Sequence, residues 1–110
     1  MSGKKNDHGK PRMELLSNIA LRGTATVLTM GASHYSSDNW RDGLAWRRLI
    51  GACARHLFAF SDGEDLDLDS GLPHLDHLAA EVMFLQEAFR TRPEFDDRYI
   101  VKLPKRKRAR

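Results

Sequence analysis

An all-α fold, a small bundle of three principal helices, is predicted by three observations. Apolar residues recur at three- and four-residue steps in three separate segments, which places each set on one helical face at ~100° per residue. The breaks between the segments are rich in Gly, Ser, Asp and Asn, the residues of turns and caps. A Ser and a Pro stand just ahead of the third segment, where a helix N-terminus takes them.

Residues 1–10, MSGKKNDHGK, are polar and rich in Lys and Gly, and they read as a disordered leader. From Met13 to Met30, the residues Leu15, Leu16, Ile19, Ala20, Gly23, Val27 and Met30 share a face and predict the first helix. Gly23 lowers helix propensity on that face, so its presence predicts the close approach of a neighbouring helix. Residues 31–45, GASHYSSDNWRDGLA, predict a long ordered loop of a kind that is often functional in so small a domain. There Tyr35, Asn39 and Trp40 can stack on a base and hydrogen-bond a ligand, or the two aromatic rings can simply cover the edge of the core.

The second helix is predicted from Leu44 or Ala45 to Ser61, with Trp46, Leu49, Ile50, Cys53, Leu57 and Phe60 as its stripe. Arg48 and Arg55 lie opposite, and His56 falls at the stripe's margin. Asp62-Gly63 ends this helix, as Gly does just beyond a C-cap. The connection GEDLDLDSG carries Glu64, Asp65, Asp67 and Asp69 within six residues. Ser70 and Pro73 predict the start of the third helix, which packs through Leu75, Leu78, Val82, Leu85 and Phe89 as far as Phe89 or Arg90. Residues 11–92 form the predicted helical domain. Residues 93–110 form an extended C-terminal segment that ends in a basic tail.

The 110 residues are 41% hydrophobic and 30% charged, ordinary values for a soluble globular chain. A chain this short has little surface to bury, which predicts a homodimer or tetramer, with the site near an interface. No apolar run approaches the ~20 residues of a membrane span, and the N-terminus lacks a signal peptide's apolar stretch. The expectation is a cytoplasmic protein without membrane contact. Lone Cys53, set among apolar residues, reads as a buried thiol without redox chemistry.

The net charge of +3 is unevenly placed. Of 18 Lys and Arg, six fall in the last nine residues, KLPKRKRAR, leaving 12 against 15 acidic residues in the rest. The body is therefore mildly acidic and the tail strongly basic. Such a tail is either a solvated extension or a contact for nucleic acid or another polyanion, held by counterion release.

The chemically richest stretch is RHLFAFSDGEDLDLDSGLPHLDH, residues 55–77, with three histidines and a run of acids around one helix-to-helix connection. Crowding carboxylates costs free energy unless a cation or hydrogen-bond donors compensate. Projected on the third helix, His74, His77 and Glu81 fall within one ~60° sector beside the apolar stripe and can converge on one point. With Glu64 and Asp67 on the loop before them, they fit a divalent metal site. Oxygen ligands favour Mg²⁺ or Mn²⁺, while imidazoles shift preference toward Mn²⁺, Co²⁺ or Zn²⁺. The competing structural reading has His74 capping the helix, His77 bonding across a helix interface and the acids solvated. The chain has no GxxxxGK[ST] phosphate loop, no Gly-rich dinucleotide fingerprint, no paired-Cys zinc pattern and no GxSxG elbow.

The run MGASHYSSDNW, then WRRLIGA, then RHLFAFSDGEDLDLDSGLPHLDHLA and MFLQ, resembles a phage-associated family named for its dATP/dGTP diphosphohydrolases. The resemblance spans about Arg12 to Phe89. Its most specific parts are Asn39-Trp40, Arg55-His56, Gly63-Glu64, Asp67, Ser70-Gly71, His74 and His77. Family members are similar to the all-α nucleoside triphosphate pyrophosphohydrolases of MazG type, helical oligomers that use Mg²⁺ or Mn²⁺. The resemblance implies hydrolysis of a deoxynucleoside triphosphate at the α–β link, releasing a monophosphate and pyrophosphate, in the host cytoplasm. It implies catalytic roles for His56, Glu64 and His77, and metal ligands among Glu64, Asp67, His74, His77 and Glu81. Tyr35, Asn39, Trp40 and Arg55 are the implied substrate contacts, with Arg47 or Lys10 able to reach outer phosphates. The alternative is an accessory protein that binds nucleic acid or a protein partner through the basic tail.

Overall fold

The computed structural model describes residues 3–104 of the chain. Three α-helices carry it: α1 (Asn18–His34), α2 (Trp46–Ser61) and α3 (His74–Thr91), with 3₁₀ turns at Met13–Leu15, Asn39–Asp42 and Pro93–Phe95. No strand forms among the described residues; Leu66 and Pro73 make an isolated bridge that closes the loop before α3. α3 lies between the other two, packing on α2 and on α1. Residues 3–12 are exposed and contain neither helix nor strand, while the basic run 105–110 lies outside the described residues.

α1 begins later than its apolar spacing predicts. Ser17 stops the chain in an extended conformation and its Oγ accepts the Ala20 N–H at 3.1 Å, an N-cap that sets Asn18 as the first helical residue. Leu15 and Leu16 therefore sit ahead of the helix, and both are exposed together with Ile19. The contact face is instead built around Gly23 and buried Thr24, whose hydroxyl bonds back to the Ala20 carbonyl at 3.3 Å. A Cβ at Gly23 would collide with the Asp76 carboxyl group of α3, so the predicted close crossing is present. The loop is shorter than predicted because α1 continues to His34.

The other boundaries follow local chemistry. Gly63, at φ +97°, ends α2 in a Schellman arrangement: its N–H bonds Phe60 and the Glu64 N–H bonds Ala59. Asp67 organises the next turn, accepting the Asp69 and Ser70 N–H groups on Oδ1 at 2.9 Å each. α3 starts at His74 behind Pro73, so Ser70 is not its cap. The N-terminus of α2 is capped from a distance, because the Asp97 carboxylate accepts the Arg47 N–H at 2.9 Å. Phe95 lies against Gly43, whose φ of +114° and lack of a side chain both suit that contact. Residues 93–98 thus strap the start of α2 to the loop.

Burial within α3 follows the predicted stripe only in part: Leu78 and Leu85 are half-buried, and the rest of the stripe is exposed. The most buried residues of α3 are Ala80, 1% exposed, and His74, 4% exposed, while Leu75, Val82 and Phe89 remain 45%, 40% and 64% exposed. Ile50 and Leu57 of α2 are likewise exposed, and Trp46, Leu49 and Ala80 are the buried apolar residues among those described. Phe89 packs on buried Trp46 with ring centroids 6.2 Å apart, which joins the C-terminal end of α3 to the start of α2.

Candidate functional site

The loop from Glu64 to Pro73 folds over one end of the α2–α3 pair and brings three imidazoles into contact. His56 of α2 stacks parallel on His77 of α3, with centroids 4.7 Å apart and planes 4° from parallel. Its Nδ1 faces the Nδ1 of His74 at 2.9 Å and lies 3.9 Å from Asp67 Oδ2. His74 Nε2 meets Glu64 Oε1 at 2.8 Å, and His77 Nε2 meets Ser70 Oγ at 2.7 Å.

Protonation follows from these partners. A carboxylate only accepts, so in the His74–Glu64 contact it is His74 Nε2–H that donates. Burial, then the neighbouring His77 and His74, hold the His56 pKa below its ordinary value and favour the neutral ring. The Ser70 N–H, aided by that of Asp69, holds the Asp67 carboxyl below its ordinary value against partial burial. His56 thus favours a neutral imidazole and Asp67 an ionised carboxylate.

That donor set fits a divalent cation. One donor atom each from His56, Asp67 and His74 lies within 4.8 Å of the others, the one such grouping among the described residues. The 2.9 Å between the two Nδ1 atoms is close to the ~3 Å separating neighbouring ligands in an octahedral shell of ~2.1 Å bonds. Glu64 lies on the far nitrogen of His74, the place of a carboxylate that orients a liganding imidazole. His77 is held by Ser70, and Glu81 lies one turn further along α3, where its carboxyl is pushed up by burial and lowered by the charge of Arg55. The sector His74, His77 and Glu81 therefore does not converge on a single point.

Glu81 and His77 instead line a cleft of about 440 Å³ between α1, the loop and α3, a volume suited to a small-molecule ligand. Its opposite wall carries Tyr35, Asn39 and Trp40. The Trp40 ring stacks on Phe84 at 4.7 Å and has the Arg41 guanidinium 4.3 Å from its centre, so it is a packed wall; Tyr35 is the exposed ring. Arg41 is in turn paired with Glu87 at 2.9 Å and with Asp38, which fixes the loop on α3. Cys53 is half-buried, and burial followed by the charge of Glu81 pushes its thiol pKa up, away from nucleophile chemistry.

Asn39, Trp40 and His77 on the cleft, and His56, Glu64, Asp67, Ser70 and His74 in the cluster around His77, all fall within a match to known sequences. The pattern of a family described as dATP/dGTP diphosphohydrolase, N-terminal, matches residues 1–98. The chain belongs to that family. It is also similar to a Salmonella phage PMBT28 protein named dATP/dGTP diphosphohydrolase, 36% identical over 98 residues that cover 89% of this chain and 33% of that protein. The chain thus spans about a third of the length of the curated relative it matches. No solved structure matches it.

Within the family domain, sequence reasoning missed two residues. Ser70 reads as a helix cap but its hydroxyl holds His77 and accepts the Leu72 N–H at 3.1 Å; the bond that orients an imidazole is invisible in spacing. Arg48 reads only as lying opposite the apolar stripe of α2; it is exposed there and lines the cleft together with Glu81. Its position seven residues before Arg55 was the available signal. Lys10 lies on a separate surface formed by residues 7–14, away from the cleft. Among the described residues no helix is long and apolar enough to cross a membrane.

Proposed function

We propose that this chain hydrolyses a deoxynucleoside triphosphate at the α–β phosphate link, releasing a nucleoside monophosphate and pyrophosphate. The observation that carries this reading is the meeting of two features at His77: a histidine–carboxylate cluster on one side and a nucleotide-sized cleft on the other. His56, Asp67 and His74 would hold a divalent cation, Mn²⁺ or Mg²⁺, with the two imidazoles favouring Mn²⁺. When bound, that cation supplies neutralisation of phosphate charge and a more acidic water.

The chain's own residues supply the remaining parts. Glu64 accepts from His74 Nε2 and so would orient the ring with Nδ1 toward the cation. Ser70 fixes the rotation of His77, which holds His56 in place by stacking. Glu81 faces the cleft with a carboxyl that burial makes more basic than usual, suited to take the proton of the attacking water. The water oxygen bonds to the α-phosphorus, the bond from that phosphorus to the bridging oxygen breaks, and pyrophosphate leaves with the electron pair. Tyr35 and Asn39 line the cleft and would meet the base and sugar.

The reading is tested by incubating the chain with a panel of nucleoside triphosphates and Mn²⁺ or Mg²⁺, then resolving the products. Monophosphate and pyrophosphate in equal amounts are expected, with the faster rate in Mn²⁺. Release of single phosphates, or no turnover with any divalent ion, would remove this reading and leave the accessory role of the basic tail. Association of two copies through the exposed outer stripes belongs to the same proposal, since those stripes leave few apolar residues buried in one copy.

A further inference from the structure

A second cavity, about 300 Å³, shares Leu44, Arg48 and Glu81 with the cleft. Three guanidinium side chains line it, Arg47, Arg48 and Arg55, against the single acid Glu81. Arg48 and Arg55 are seven residues apart on α2, two turns along one face, and Gly51 lies between them. The Arg55 Nη1 lies 3.3 Å from where a Gly51 Cβ would stand, so this guanidinium folds back over bare helix backbone. A larger residue at 51 would displace it.

These three arginines differ from three others that are tied to carboxylates. Arg41, Arg92 and Arg98 are each paired with a carboxylate, Glu87, Glu94 and Asp96, at 2.9 to 3.3 Å. Among the described residues neither Arg47, Arg48 nor Arg55 has a carboxylate oxygen within salt-bridge distance. Three guanidinium groups around one concave space against a single carboxyl leave an excess of positive charge there, which suits a compact polyanion. Guanidinium forks match phosphate oxygens in particular.

We infer that this arginine cavity is a pyrophosphoryl subsite, holding the terminal phosphates of the substrate and then the pyrophosphate released from it. The inference rests on the hydrolytic reading above and adds a direction to it. The base lies toward Tyr35 and Asn39, the α-phosphorus beside Glu81, and the tail runs past Arg48 onto the outer face of α2. Product pyrophosphate is then held by contacts that the monophosphate does not use.

The test is calorimetric titration of the full chain with sodium pyrophosphate in metal-free buffer, and separately with a deoxynucleoside monophosphate. The double variant Arg48→Gln/Arg55→Gln should weaken pyrophosphate binding at least tenfold and leave monophosphate binding unchanged. Arg48→Lys/Arg55→Lys should recover part of it, and circular dichroism of both should match the parent chain, since these side chains are exposed. Unchanged pyrophosphate binding, or equal loss of both ligands, overturns the assignment. Turnover with arginine-independent pyrophosphate binding would remove the subsite alone. Arginine-dependent binding without any turnover would keep the subsite and remove the hydrolysis.

Discussion

The two sides of α3 are opposite in composition to what a small helical core leads one to expect. The side turned toward α1, α2 and the loop carries His74, His77, Ala80, Glu81 and Phe84, whereas the side turned outward carries Leu75, Val82 and Phe89. Burying imidazole and carboxyl groups costs free energy unless each finds a partner, and here His74 and His77 do, in Glu64, His56 and Ser70. Leaving three large apolar side chains in water costs free energy too, ~25 cal/mol per Å² of apolar surface. The difference teaches that one helix can turn its polar groups inward, where they find partners, and leave part of its apolar stripe in water, which is the division that the proposed site and the proposed association both use.

The sharpest way to break that comparison is on the inner face. His74→Ala removes a buried ring bonded at both nitrogens, and it should abolish detectable Mn²⁺ binding and turnover while lowering stability by about 2 to 3 kcal/mol. Calorimetric metal titration and thermal melts read the two losses separately. Glu64→Gln should act more gently, weakening metal affinity ~10 to 100-fold, because it alters only the partner of a liganding ring. A Glu64→Gln chain with unaltered metal affinity would show that the contact is structural.

The outer face responds in a different currency. Val82→Asp should leave the melting temperature of a dilute sample nearly unchanged while lowering the mass seen by light scattering from two copies to one. If the parent chain is already monomeric at high concentration, the outer stripe is covered by something other than a second copy. Between the faces stands the C-terminal strap: Asp97→Ala frees the Arg47 N–H at the start of α2 and should cost about 1 kcal/mol in denaturant melts, without moving metal affinity.

Part of this division was legible in the sequence. The end of α2 at Asp62-Gly63, the close crossing at Gly23 and the shared sector of His74, His77 and Glu81 all follow from local rules of backbone geometry and helical period. Those rules say which residues share a face and are silent on which face is turned in. The apolar stripe of α3 reads as core for that reason; Leu78 and Leu85 are half-buried, while Leu75, Val82 and Phe89 are left exposed as α1 docks on the polar flank, with Gly23 against Asp76. The start of α1 was missed because apolar spacing continues through Leu15 and Leu16 while the capping serine, Ser17, sits inside the run. Glu64 reads as a ligand from composition. That it reaches the outer nitrogen of His74 depends on a turn fixed by backbone bonds from Asp67 to Leu72 and from His74 to Asp65, contacts that no spacing encodes.

The smallest effect is the one that separates chemistry from stability most cleanly. Burial raises the Glu81 pKa, with the charge of Arg55 opposing the rise, so the folded chain holds this proton more tightly than the unfolded chain. A group raised in the folded state contributes its full stability below the unfolded carboxyl pKa of ~4.3 and loses that contribution as pH climbs through the folded value. At neutral pH Glu81 is therefore a net cost to folding. Glu81→Gln keeps the shape and removes the charge, so it should raise the melting temperature slightly at pH 7 to 8 and leave it unchanged near pH 4. The same variant should lose turnover at every pH while retaining Mn²⁺ binding by His56, Asp67 and His74. A carboxylate kept in a destabilising place, whose removal strengthens the fold and ends the reaction, is maintained for the cleft it faces. A variant that is both more stable and fully active would move the proton acceptor elsewhere.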